Sequence, residues 1–240
     1  IITGLLILTF ECLENKKIGM ATLLLMIAVF IKPFALAGFL LFILYPGKLK
    51  AFAFSIAWFI VLLALPLLTI SFHGLIGEYK SWYVLLKDDH DGSIGLSVMA
   101  LFNSWFGTND KIITLIIGFV LLLLPLARYK SFINPSFRQI FLASILIWII
   151  IFNHKAESYT YIIAISGVAI WYFTQPFNKL NLVLLLLTLI FTIIEPIGIF
   201  PWLYHNKYLN PYLIFVIPSS LVLLKITFEL MTRKFDLSTS

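Results

Sequence analysis

Nine apolar stretches recur along the chain, at residues 1–10, 18–31, 34–45, 51–72, 112–127, 140–152, 159–173, 182–200 and 211–230. Most are too long for strands and lack the alternation of a membrane barrel, so the pattern predicts α-helices. Short polar connectors separate them, and those connectors carry most of the charge. Runs of this length, spread over the whole chain, predict a polytopic bundle of transmembrane helices.

The stretch 18–45 tests that topology. It reads either as one long helix or as two short helices meeting at Lys32-Pro33. A single crossing would put Lys16 and Lys17 on the opposite side from Lys48 and Lys50. A hairpin keeps all four on one side, with Arg128, Lys130, Arg138, Lys179, Arg233 and Lys234, as the excess of basic residues in cytoplasmic loops favours. Each arm is then shorter than the roughly 20 residues a crossing needs. Lys32-Pro33 becomes the apex of a re-entrant pair, because proline breaks the helical ladder and disfavours a helical residue before it.

With the hairpin, the extracytoplasmic parts are 73–111, 153–158 and 201–210. Within the first, 75–86 (LIGEYKSWYVLL) reads as an amphipathic helix lying in the membrane interface, and 96–106 (LSVMALFNSWF) as a second one. The polar run 87–93 between them reads as a turn. Glu195-Pro196 marks a kink in the eighth apolar stretch.

Composition narrows the class. The chain is 61% hydrophobic and 12% charged, with mean hydropathy +1.03. A soluble domain carries roughly 25% charged residues. The net charge of +6 reports loop topology here, not nucleic-acid binding. One cysteine, Cys12, allows no internal disulfide. The chain opens inside an apolar run at Ile1, with no signal-peptide pattern. We expect it to be the C-terminal part of a longer protein, with residues 1–240 forming a single membrane domain.

The run 153–161 (NHKAESYTY) holds the densest candidate chemistry. Titratable groups at the lip of a bilayer are costly unless they face a site. If the following helix starts near His154, then His154, Glu157, Ser158 and Tyr161 share one face. Histidine suits a general base, and Lys155 suits a phosphate. Interfacial anchoring is the plainer role for Lys155 and the tyrosines. Lys32, at membrane depth, calls for an anionic partner. Asp88, Asp89, His90 and Asp91 offer hard ligands, yet four polar residues in a row are more simply a solvated loop. His205 and Asn206 carry little signal. No nucleotide-binding, zinc or nucleophile-elbow motif occurs.

At three of these places the chain resembles glycosyltransferase family 87, polytopic enzymes of the GT-C fold class. The places are the Ala28-Val29-Phe30-Ile31-Lys32-Pro33 hairpin, the run Asp91-Gly92-Ser93-Ile94-Gly95-Leu96-Ser97, and the cluster 153–161 with Tyr161-Ile162-Ile163-Ala164-Ile165-Ser166-Gly167 after it. The resemblance implies transfer of a hexose, mannose-like, from a polyprenyl-phosphate donor to a lipid-linked or glycan acceptor on the extracytoplasmic face of a bacterial inner membrane. It implies no cofactor, and a catalytic carboxylate in a loop upstream of Ile1.

On that basis His154 and Glu157 are expected as catalytic groups, and Lys32 and Lys155 as the donor-phosphate site. Asp91, Ser93, Ser158, Tyr159 and Tyr161 are expected to bind substrate, with no metal needed because the lysines carry the charge work. A polysaccharide polymerase or ligase would share the lipid-phosphate logic, but this chain has no arginine outside the inferred cytoplasmic side. A transporter or flippase would show inverted repeats, and one broken helix pair speaks against it.

Overall fold

The computed structural model describes residues 1–92, 94–108, 110–193 and 211–235, without the side chains of 86, 88–92, 193 and 211–215. Every regular element among the described residues is a helix. The chain forms two compact units, Ile1–Ser93 and Ile94–Ser240.

The first unit begins with α1 (Ile2–Glu14) and α2 (Ile18–Ile31). The apolar run was expected to end at residue 10, but the helix continues to Glu14, since nothing in Glu11-Cys12-Leu13 breaks it. It ends in a left-handed residue, Lys16 at φ 58°. There the Lys17 amide bonds Cys12 O and the Lys16 amide bonds Leu13 O, a paired closure that usually recruits glycine.

The hairpin expected at Lys32-Pro33 is present. Lys32 is extended (φ −146°, ψ 117°), and Pro33 opens a 3-10 helix, Pro33–Leu44. In one continuous helix Gly38 would lie about 20 Å from Leu25. Here a Cβ at Gly38 would stand 2.7 Å from Leu25 Cδ1 and 2.8 Å from Leu6 Cδ2. The second arm therefore folds back on the first. Residues three apart eclipse in a 3-10 helix, so Ala35, Gly38, Leu41 and Leu44 form one buried stripe, and the missing side chain at Gly38 lets it close against α1 and α2.

Helix α3 (Lys48–Ala64) runs into a 3-10 turn, Leu65–Leu68, where Pro66 withdraws an amide from the ladder. Helix α4 covers Phe72–Gly92. It contains the predicted amphipathic segment 75–86, but it also takes in Lys87 to Gly92, which were expected as a turn. No residue before Gly92 opposes helix there, and the backbone continues.

The second unit is organised around α7 (Pro135–Ile151), capped by Asn134, whose Oδ1 accepts the Phe137 amide at 3.2 Å. Every residue from 140 to 152 is buried, so beyond its first turns α7 has no face to show to solvent or lipid. Against it pack α6 (Lys111–Leu123), α8 (Tyr161–Phe173) and α10 (Pro211–Thr232), while α5 (Val98–Phe106) and α9 (Lys179–Ile193) pack on α10. Ser97 caps α5 by accepting the Ala100 amide, and Asp110 caps α6 by accepting the Ile112 and Ile113 amides at 3.0 Å each. Pro125 turns the chain after α6 into a 3-10 segment, Leu124–Ile133, kinked at Arg128. The eighth apolar stretch is described to Ile193 only, so Glu195, Pro196, His205 and Asn206 lie outside the described residues.

Among the described residues two helical stretches, Lys48–Leu68 and Lys111–Ile133, are long and apolar enough to cross a membrane. Only 11% and 22% of their most apolar windows are buried. The core helix of a soluble protein would be covered, whereas these two are bare.

A glycine fixes the close contact of α8 with α7. A Cβ on Gly167 of α8 would meet Ala143 O at 2.7 Å and Ile147 Cγ1 and Leu146 Cβ at 3.0 Å. A carbonyl cannot rotate away as a side chain can. Gly167→Ala is expected to destabilise the protein by about 1–3 kcal/mol through overpacking, read from unfolding in detergent. Gly4→Ala, where nothing lies within 4 Å, is the matched control and should be neutral or stabilising.

Candidate functional site

The run 153–161 does not extend α8. Residues 153–157 form a turn, and a short 3-10 helix, Ser158–Thr160, leads into α8 at Tyr161. The cause is local. The Asn153 side chain accepts the Lys155 amide at 2.9 Å, and the Ala156 amide bonds Asn153 O at 3.0 Å. Asparagine competes with helix in this way. The expected sharing of one helical face by His154, Glu157, Ser158 and Tyr161 is thereby overturned.

The turn is knitted to the segment 94–97. The Leu96 amide bonds Ala156 O at 2.8 Å, and Tyr161 donates its hydroxyl to Leu96 O at 2.8 Å. Ser97 donates to Ile94 O at 2.5 Å. Gly95 sits at φ +49°, where a Cβ would come within 2.6 Å of His154 O and 2.9 Å of Ala156 O. Only glycine lets the two backbones approach this closely. The structure thus brings together two stretches chosen from the sequence, 94–97 and 153–161. Asp91's side chain and Ser93 lie outside the described residues.

The knit sorts the candidates. Ala156 and Tyr161 are its buried side. Tyr161 is 0% exposed, and with its hydroxyl on Leu96 it serves as a strut. Covered in this way it offers no surface to a substrate, against its expected place among the substrate-binding residues. Glu157, Ser158 and Tyr159 are exposed, while His154 and Lys155 are half-buried. The Glu157 amide donates to Thr160 Oγ1 at 3.1 Å, and Thr160 Oγ1 returns its proton to Glu157 O at 2.6 Å. A hydrogen bond with the Glu157 carboxylate holds the Tyr159 phenol above its ordinary pKa. An exposed carboxylate and phenol are thus paired on a rigid turn.

Lys32 belongs to the first unit. It is exposed and ends α2 at the hairpin apex. Beside that apex opens a groove of about 930 Å³, floored by one face of α3 and walled by the hairpin arms and α4. Phe30, Pro33 and Leu36 line its apex end. Its few polar residues include Lys48, Glu78 and Tyr79. The Tyr79 hydroxyl is already committed to Leu63 O at 2.7 Å. Among the described residues no three His, Cys, Asp or Glu side chains gather to hold a metal.

One polar constellation escaped the sequence reading. Glu229, inside α10, accepts Trp171 Nε1 at 2.7 Å and Gln175 Nε2 at 2.8 Å, and pairs with Lys225 at 3.0 Å. Arg233 donates to Gln175 Oε1 at 3.1 Å. Arg128 donates to Leu230 O at 2.9 Å and Arg233 O at 2.8 Å, closing the open carbonyl end of α10. Lys225 and Glu229, four apart in an apolar helix, were the available signal. With its acceptors and donors matched, this network pins α8, α10 and the kink at Arg128 together.

Two outcomes are expected. Gly95→Ala should cost at least about 1–2 kcal/mol for the left-handed backbone alone, measured as lower unfolding stability. The phenolate absorbance lost in Tyr159→Phe should titrate above pH 10.0 in the otherwise native protein and return toward it in Glu157→Gln. Because the folded-state pKa is raised, the pair's contribution is complete below the unfolded value and lost as pH rises through the folded one. No protein-family model, no curated protein and no solved structure matches this chain.

Proposed function

We propose that this chain is the multi-pass membrane part of a GT-C-type glycosyltransferase that moves a hexose from a polyprenyl-phosphate donor to a lipid-linked or glycan acceptor. The observation that supports it best is the knit of Gly95 and Leu96 to the 153–157 turn. It holds histidine, lysine and carboxylate groups rigidly beside an apolar helix, and such fixing is what orientation of reactants requires. The bare apolar helices and the hairpin with a lysine at its apex add to the reading, which places the protein in a bacterial inner membrane.

In this reaction the acceptor hydroxyl attacks the anomeric carbon of the donor sugar. The bond from that carbon to the phosphate oxygen breaks, and the polyprenyl phosphate leaves with the electron pair. The hydroxyl proton passes to a base. His154 orients or takes that proton, with Glu157 on the same turn. Lys155, on this turn, is assigned to phosphate charge, where charge-assisted hydrogen bonds strengthen as the leaving group develops; Lys32, in the first unit, is proposed separately as a phosphate contact. Ser158 and Tyr159 offer hydroxyls to the acceptor or sugar.

The test is transfer of radiolabelled mannose from a polyprenyl-phosphate donor by membranes containing the full-length protein. His154→Ala and Lys32→Ala should each lower the rate by about 100-fold or more, with the amount of protein in the membrane unchanged. Rates within threefold of the parent in both variants would refute the reading.

A further inference from the structure

We propose that the groove of the first unit is a seat for one hydrocarbon chain of an anionic phospholipid, with the phosphate at Lys48. This does not rest on the transferase reading.

The shape comes from α3. Lys48, Ala51, Phe52, Ser55, Phe59 and Leu63 line the groove, at spacings that keep them on one helical face. Fifteen residues of helix make that face about 22 Å long. One leaflet of a hydrocarbon core is about 15 Å deep, so a single acyl chain fits lengthwise. Small buried residues, Ala51 and Ser55, make the floor. Ser55 donates its hydroxyl to Ala51 O at 2.7 Å, and this leaves the floor apolar. Tyr79 is likewise committed to Leu63. The volume of about 930 Å³ falls within the range of ligand sites, roughly 300–1,000 Å³.

The charges give the lipid a direction. Lys48 lines the groove at the start of α3, and Glu78 lines it from α4. An anionic head therefore belongs at the Lys48 end. More basic charge gathers there. A Cβ on Gly47 would stand 2.8 Å from Ile18 Cδ1, so the turn before α3 packs on the start of α2. That contact places Lys16 and Lys17, which precede Ile18, near Lys48 and Lys50, and all four lysines are exposed. Two carboxylates precede them in sequence, Glu14, which accepts the Tyr45 hydroxyl, and Glu11, which accepts Asn15 Nδ2 at 2.7 Å, so four ammonium groups outnumber two acids. An anionic phospholipid matches both parts, a chain in the groove and a phosphate among the lysines.

The experiment exchanges the purified full-length protein into phosphatidylcholine nanodiscs containing a minority of phosphatidylglycerol, then releases it for native mass spectrometry. The parent should retain one phosphatidylglycerol per chain, enriched over its share of the disc. Lys48→Glu should lower that retention at least tenfold. A glutamate is favourable in the first turn of a helix, so α3 stays folded and this variant alone decides the charge claim. Ala51→Phe, which raises the floor without touching charge, should lower retention several-fold. Equal retention of the two phospholipids, undiminished phosphatidylglycerol in Lys48→Glu, or a polyprenyl phosphate in the seat of the native-membrane protein would each overturn the proposal.

Discussion

The stretch 140–152 is covered on every side, and the helices packed against it set the order of the second unit. It includes a tryptophan, two phenylalanines and a run of isoleucines, all covered. Lipid tails are as apolar as these side chains, so close van der Waals packing is what holds its neighbours in a membrane. Gly167 brings α8 close enough for backbone contact, and Gly118 makes room for the Phe152 ring on the α6 side. The Glu229 network then fixes where α8 and α10 meet.

The same packing explains why a polar turn can be rigid beside this core. Phe152 ends the buried run, and the chain must change direction at once. Asn153 supplies the turn from its own side chain, and Gly95 receives the turning backbone. Buried Ala156 and Tyr161 tie the rim to the core, so the exposed carboxylate, hydroxyl and phenol of 157–159 ride on a fixed base.

Much of the fold was readable because hydrophobic run length and proline position are strong signals. The break at Lys32-Pro33 follows from proline's covalent geometry, and the structure has it. The helices flanking 153–161 begin and end within a few residues of the apolar boundaries. What escaped is tertiary. Periodicity could not tell that Tyr161 points inward to a carbonyl 65 residues away, because a tyrosine at a helix start suits either side. Asn153 closing its own turn was legible in principle, and it overrode the helical spacing assumed for His154 to Tyr161. The helical backbone from Lys87 to Gly92 shows that a string of polar residues without a breaker need not leave a helix. The role of Glu229 depended on Trp171 and Gln175, whose approach only the packed structure reveals.

Arg128 has a consequence for the order in which the chain is made. Its two acceptors lie 102 and 105 residues further on. At a synthesis rate of about 5–20 residues per second, the kink at Arg128 waits several seconds for them. Through that interval α7 lacks α10 as a wrapper. In water such a bare isoleucine helix would invite aggregation, but among lipid tails it loses little by waiting. On the proposed membrane reading, α10 closes over α7 only after lipid has already covered it.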